Sequence, residues 1–326
     1  MGRLKACLIS RSYLPVLLVL IVASSSVAVY FLYPFQTVAV PRVGGGAAIV
    51  DTLSENYPNP DFEEEVRRVL GVAGMPVRVY NASSVSVDFM KSFPAGYDLV
   101  VFRVHSATSR RGVFYFTSEP YDESKYQPEQ YRGELRPARD YEGNPEVFAF
   151  GGKFVETYLR DRFRNAIVIG MGCFGAGTSY GTEEELVIRE VPVEKGPNLA
   201  DAFHKQGAIA VIGWDKLVKL DFSDRATLRL IRVLALERLT VKQAVDATNQ
   251  ESGSDPVYRS ILVFYPEENG NRIMEIEPSE YVANESKILR AERLQSPPIR
   301  RFCDPILPAS RLTSLVVQTS ERDSDT

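Results

Sequence analysis

His105 and Cys173 are the residues of this chain best placed to do chemistry together. The 326 residues hold only two histidines and three cysteines, so a His–Cys pair can be built in few ways. His105 follows the apolar run DLVVFRV at 98–104, and Cys173 follows AIVIGM at 166–171 through Gly172. A neutral thiol is a poor nucleophile; an imidazole beside it takes its proton or stabilises the thiolate. Gly172, Gly175 and Gly177 flank the cysteine. Such glycines let the chain turn sharply and let a substrate carbonyl approach main-chain N–H groups, as an oxyanion hole requires. Each residue alone also has a bland reading, the cysteine as a small buried side chain in a turn. Their joint position at the ends of two successive apolar runs is what points to a nucleophile and its base.

Those runs belong to a series. Residues 47–50, 77–80, 98–104, 166–171, 208–213 and 257–265 read as six strands. Between them the 3.6-residue pattern and capping residues predict helices over 62–70 (capped by Asp61), 86–93, 154–163, 198–205 (capped by Asn198), 223–238 and 241–249. Strands apolar on both faces that alternate with helices imply α/β architecture: a mostly parallel sheet of about six strands in a three-layer α/β/α arrangement. Active groups in such sheets gather beyond the C-terminal strand ends, where His105 and Cys173 would emerge side by side if their strands are neighbours. Residues 113–117 and 187–193 read as hairpin arms, and 272–276 as a further partner for the sixth strand. The stretch 121–141, rich in Tyr, Pro, Arg and acids without an apolar period, reads as a long surface loop.

YDLVVFRVHSA (97–107), AIVIGMGCFGAG (166–177) and the long piece from NLADAFHKQGAIAVIGWDKLVKLDF onward (198–248) carry a resemblance in their order and spacing. They are similar to the caspase-like, clan CD cysteine peptidases, the group of caspases, metacaspases, clostripain, gingipains and CHAT domains. The resemblance covers about residues 47–276. It implies that Cys173 attacks a peptide carbonyl and that His105 protonates the leaving amine. The backbone N–H groups of Cys173 and of Ser106 would hold the oxyanion, with Gly172 and Gly175 shaping the turn. Ser106 departs from the glycine usual after the family's histidine. Family members that cleave after Arg or Lys carry acids after the first and fifth strands. Asp51 and Asp215 stand at those places, with Trp214 beside Asp215 as a pocket wall. The alternative is a turn-capping Asp51, a solvated Asp215 and a half-buried Trp214.

Residues 13–35 carry no charge, and about 20 apolar residues suffice to cross the hydrocarbon core. Arg3, Lys5 and Arg11 precede the run and only Arg42 follows closely. The positive-inside bias then leaves 1–12 in the cytoplasm and the rest outside. A cleaved signal peptide is the alternative, though the run is longer than a usual h-region. The expected organisation is a cytoplasmic 1–12, a transmembrane signal anchor at 13–35, a linker at 36–46, a caspase-like domain at 47–280 and a polar tail at 281–326.

A net charge of −4 without a basic cluster in the folded part argues against a nucleic-acid partner. Two histidines leave little for a His/Cys metal site, and no cofactor is implied. The expected partners are a peptide or protein substrate and the membrane. Three functions compete: an endopeptidase preferring basic residues, a catalytically silent caspase-like binding module, and an amidotransferase-like enzyme using His204. Met171 stands two residues before Cys173, where a nucleophile elbow needs glycine, and weakens the last.

Overall fold

Five of the six apolar runs lie side by side and parallel. The computed structural model describes residues 45–109, 112–140, 144–178 and 197–276. Its main sheet contains β1 (Ala47–Asp51), β2 (Val77–Asn81), β3 (Leu99–Arg103), β8 (Ile167–Gly170), β9 (Ala210–Trp214) and β10 (Leu262–Tyr265). The strand order is β10-β9-β8-β3-β1-β2, all parallel except for the antiparallel edge strand β10.

Alternation along each strand divides the core in two. Ile49 of β1, Leu99 and Val101 of β3, Ile169 of β8 and Ile212 of β9 pack on one face. That face is covered by α1 (Pro60–Val72), α6 (Leu220–Ala235) and α7 (Val241–Ser252), through residues such as Phe62, Val66, Leu230 and Val245. Ala48, Val50, Val100, Phe102, Val168 and Val211 point to the other face. There they meet α2 (Val87–Lys91), α4 (Gly152–Tyr158) and α5 (Leu199–Lys205), with Phe93, Phe154, Phe163 and Phe203 filling the layer. Burial on both faces explains why these strands read as unbroken apolar runs.

Helix starts follow local chemistry. Asn59, not Asp61, caps α1: its side chain accepts the Phe62 N–H at 3.1 Å, and Pro60 takes the first turn, where its missing N–H costs nothing. Ser86 and Asn198 cap α2 and α5, and Thr240 with Gln243 forms a capping box on α7.

The stretch 121–141, expected to be a long loop, instead contains a helix and a strand, and the expected arm at 113–117 lies within a longer strand. A second, four-stranded antiparallel sheet holds β4 (Ser106–Ser109), β5 (Gly112–Pro120), β7 (Val147–Phe150) and β6 (Leu135–Ala138) in that order, with α3 (Gln127–Arg132) before β6. β6 escapes the usual pattern because its buried face includes Arg136, whose guanidinium lies over the Phe114 ring at 5.6 Å. Its Pro137 is tolerated because β6 pairs only with β7. Residues 272–276 do not pair with β10; Ile273 bridges Thr240 instead. The expected arm at 187–193, the anchor at 13–35 and the tail from 281 lie outside the described residues. Among the described residues no helix is long and apolar enough to cross a membrane.

Candidate active site

The strands that deliver His105 and Cys173 are neighbours. β3 and β8 pair in parallel with Phe102 opposite Gly170, so both chains leave the sheet at the same edge. Beyond it they stay in contact: Met171 N–H donates to Phe102 O at 2.9 Å, and the Ser106 hydroxyl donates to the Cys173 carbonyl. Gly172 makes this approach possible. A Cβ there would lie 2.3 Å from Ser106 Oγ and 2.4 Å from Val104 O, so only glycine fits between the two tips. Ser106 thus does more than stand in for a glycine; its side chain ties the histidine segment to the cysteine segment.

The cysteine turn is held from three sides. Phe174 adopts a left-handed φ of 55° and its N–H donates to Lys216 O at 2.8 Å. Gly175 N–H donates to Gly172 O at 2.9 Å, and the buried Tyr115 hydroxyl from the second sheet donates to Gly175 O. Gly175 packs against Gly170, where a Cβ would meet the Gly170 oxygen at 2.1 Å.

Cys173 is half-buried, and its Sγ faces the Val218 carbonyl oxygen at 3.9 Å. Burial pushes the thiol above its ordinary value; the Val218 contact and the residue's own N–H pull back only in part, and the Asp255 carboxylate adds to the rise. His105 sits between the edge of the Tyr57 ring at 5.7 Å and the Phe116 ring at 6.1 Å. Burial holds its imidazole below the usual value; Asp140 works against that and Arg103 with it.

Phe116 N–H donates to His105 O at 3.0 Å, while Ser106 and Tyr115 are the next opposed pair. Antiparallel ladders alternate bonded and non-bonded pairs, which directs the Ser106 N–H away from β5.

The remaining expected residues are placed as follows. Asp51, at the tip of β1, is 1 % exposed, and both its oxygens accept from Arg103 Nη1 at 3.1 Å. Arg103 also bonds Asp224 of α6 through Nε and Nη2, at 3.0 and 3.1 Å, and Tyr57 O at 2.9 Å. Two carboxylates thus share one guanidinium. Burial raises Asp51 against the pull of Arg103. Burial also works to lower Arg103, but the bonds and charges of Asp224 and Asp51 outweigh it and hold the guanidinium up. Trp214 is buried: its Nε1 donates to Ser223 Oγ at 2.8 Å, and that hydroxyl donates to Met171 O at 2.8 Å. Asp215 lies beside the cysteine turn, one residue from the Lys216 carbonyl that holds Phe174. Its Oδ1 accepts the Ile261 N–H at 2.9 Å, and its side chain is 27 % exposed. His204 is elsewhere, with Nδ1 2.9 Å from Ala208 O and its ring against Tyr265.

Three residues went unseen in the sequence reading. Asp140 Oδ2 lies 3.5 Å from His105 Nε2. Asp224 completes the Arg103 cluster. Asp255, fully buried, accepts the N–H groups of Lys219, Val257 and Tyr258, fastening the loops that flank Cys173. The only local signal for Asp255 was the Gly253–Pro256 turn; Asp140 and Asp224 had none. Among the described residues no group of acids, histidines and cysteines is arranged to hold a metal. No protein-family model matches the chain, and no curated protein matches it.

Proposed function

We propose that this chain is a caspase-like cysteine endopeptidase anchored in a membrane through residues 13–35, with its catalytic domain outside the cytoplasm. The observation that carries the reading is the junction of two adjacent parallel strands, where the Ser106 hydroxyl meets the Cys173 carbonyl and brings the His105 and Cys173 segments together. In this reading the thiol leaves the Val218 carbonyl, passes its proton to His105 and attacks the substrate carbonyl. A C–S bond forms, the oxyanion is held by the N–H groups of Cys173 and Ser106, and the C–N bond breaks as the imidazolium protonates the departing amine. Water then hydrolyses the thioester. Preference for a basic residue rests on Asp215, whose side chain is partly exposed beside the cysteine turn, where it also meets Lys216 Nζ at 3.7 Å; Asp51 is buried against Arg103.

A second reading has an observation of its own. A buried thiol whose pKa is raised, turned onto a carbonyl oxygen, suits a silent binding module of the same architecture. The full chain, purified in detergent and given Arg- and Lys-ending fluorogenic peptides, separates the two. The peptidase reading expects turnover that is lost in Cys173→Ala and His105→Ala and kept in His204→Ala. Absence of turnover in every form favours the binding module, and dependence on His204 refutes both.

A further inference from the structure

We propose that Asp140 is a positioning residue for His105, holding the proton on Nε2 so that Nδ1 serves the thiol. The inference rests on the cysteine-peptidase reading for its purpose, but the pairing itself is independent of it. His105 Nε2 is buried and has no hydrogen-bond partner among the described residues, yet it faces Asp140 Oδ2 at 3.5 Å. A buried ring nitrogen without a partner is costly unless something nearby can take its proton's hydrogen bond. The carboxylate is the group within reach, and charge-assisted N–H···O contacts close to about 2.7–2.9 Å when they form.

Asp140 is held for this task. Its Oδ1 accepts the Asn144 amide at 2.8 Å, while its Oδ2 faces the imidazole at 3.5 Å. On either side of Asp140 and Asn144, Arg139 Nη2 meets Glu146 Oε1 at 2.8 Å, and Tyr121 N–H donates to Glu146 O at 2.9 Å. Asp140 follows the end of β6, on the second sheet, and its carboxylate lies beside an imidazole that follows β3 of the main sheet. Among the described residues the charged groups that act on His105 are Asp140 and Arg103, of opposite effect; the Tyr57 ring lies on another side. Arg103 is itself surrounded by Asp51 and Asp224, which leaves Asp140 as the carboxylate directed at the ring.

The consequence for proton transfer is specific. With Nε2–H donated to Asp140, the lone pair of Nδ1 is free to receive the thiol proton. The imidazolium so formed is stabilised by the carboxylate until that proton passes to the leaving amine. Asp140 exchanges no proton and touches no substrate, so it acts only through His105.

Two histidines make the test direct. The full chain, labelled with 15N in histidine, is titrated by NMR, with His204→Gln assigning the second ring. The neutral His105 ring is expected as the Nε2–H tautomer. In Asp140→Asn its titration midpoint is expected to fall by about one unit, and Asp140→Glu should restore most of the shift. An Nδ1–H tautomer in the unaltered chain, or an unchanged midpoint in a folded Asp140→Asn, overturns the proposal. The tautomer readout needs no variant, so a misfolded Asp140→Asn leaves the test intact. Neither readout needs substrate: a chain with the Nε2–H tautomer and the shift but without peptidase activity refutes the enzyme reading and keeps the pairing.

Discussion

Arg103→Met should be the most damaging single change near the site, and its cost can be worked from the contacts. The Arg103 guanidinium makes five hydrogen bonds: two to Asp51, two to Asp224 and one to Tyr57 O. The three side chains are 1 %, 2 % and 6 % exposed. Methionine removes the charge and leaves two carboxylates buried beside each other without a cation. Breaking a buried pair in this way costs about 3–5 kcal/mol. For a domain of this size about 1 kcal/mol moves the melting midpoint by 2–4 °C, so a drop of roughly 6–20 °C is expected by calorimetry or circular dichroism. The deficit should shrink in acid. Carboxylates stranded without Arg103 have folded pKa values above the ordinary value of about 3.9. Folding therefore favours protonation, and the penalty eases as pH falls through those raised values. Adding Asp51→Asn and Asp224→Asn to Arg103→Met removes the stranded charges and should recover most of the loss. A loss under about 1 kcal/mol, the value of a solvated surface pair, or a deficit that does not change with pH, would refute the reasoning.

Gly172→Ala should separate the two strand tips, because its Cβ would fall 2.3 Å from Ser106 Oγ and 2.4 Å from Val104 O. Overpacking of this kind costs about 1–3 kcal/mol, and turnover of a fluorogenic peptide should fall at least about tenfold; unchanged turnover would mean that the junction is not the site. His105 makes a separate pH signature: burial lowers its folded pKa below the ordinary 6.5 or so. The unfolded chain then binds the proton more readily, so the stability tied to a neutral His105 is complete above about pH 6.5 and is lost as pH falls below it. Urea denaturation from about pH 7 to about pH 5 should show His105→Gln losing less stability than the unaltered chain, and parallel losses would contradict this.

The sequence by itself determined the main sheet and the two chemical groups. The runs AAIVD, LVVFR, IVIG and AVIGW are apolar at every or nearly every position because both sides of each strand are covered, and local composition alone is enough to mark them. The same holds for the helix that Asn198 caps, a neighbour in sequence. For α1 the expected cap, Asp61, lies within the first turn, and Asn59 caps instead, ahead of Pro60. His105 and Cys173 stood out because each directly follows such a run.

What only the tertiary structure decided depends on partners far apart in the chain. Of the second sheet only the arm at 113–117 was legible; β6 was not, because it buries Arg136 and Pro137, residues that composition assigns to loops. Asp51 stood where a substrate-binding acid would, but its carboxylate is bonded to Arg103, 52 residues on, which also bonds Asp224, 121 residues beyond that. Nothing local to any of the three foretells the cluster. Trp214 reads from sequence as a pocket wall or an anchor, and the hydroxyl of Ser223 on α6 draws it into the core. Asp140, 35 residues on and just past β6 of the second sheet, meets His105 only in the folded chain. A side chain's type sets which chemistry it can do; which chemistry it does is decided by the charge and hydrogen-bond partners that folding places around it.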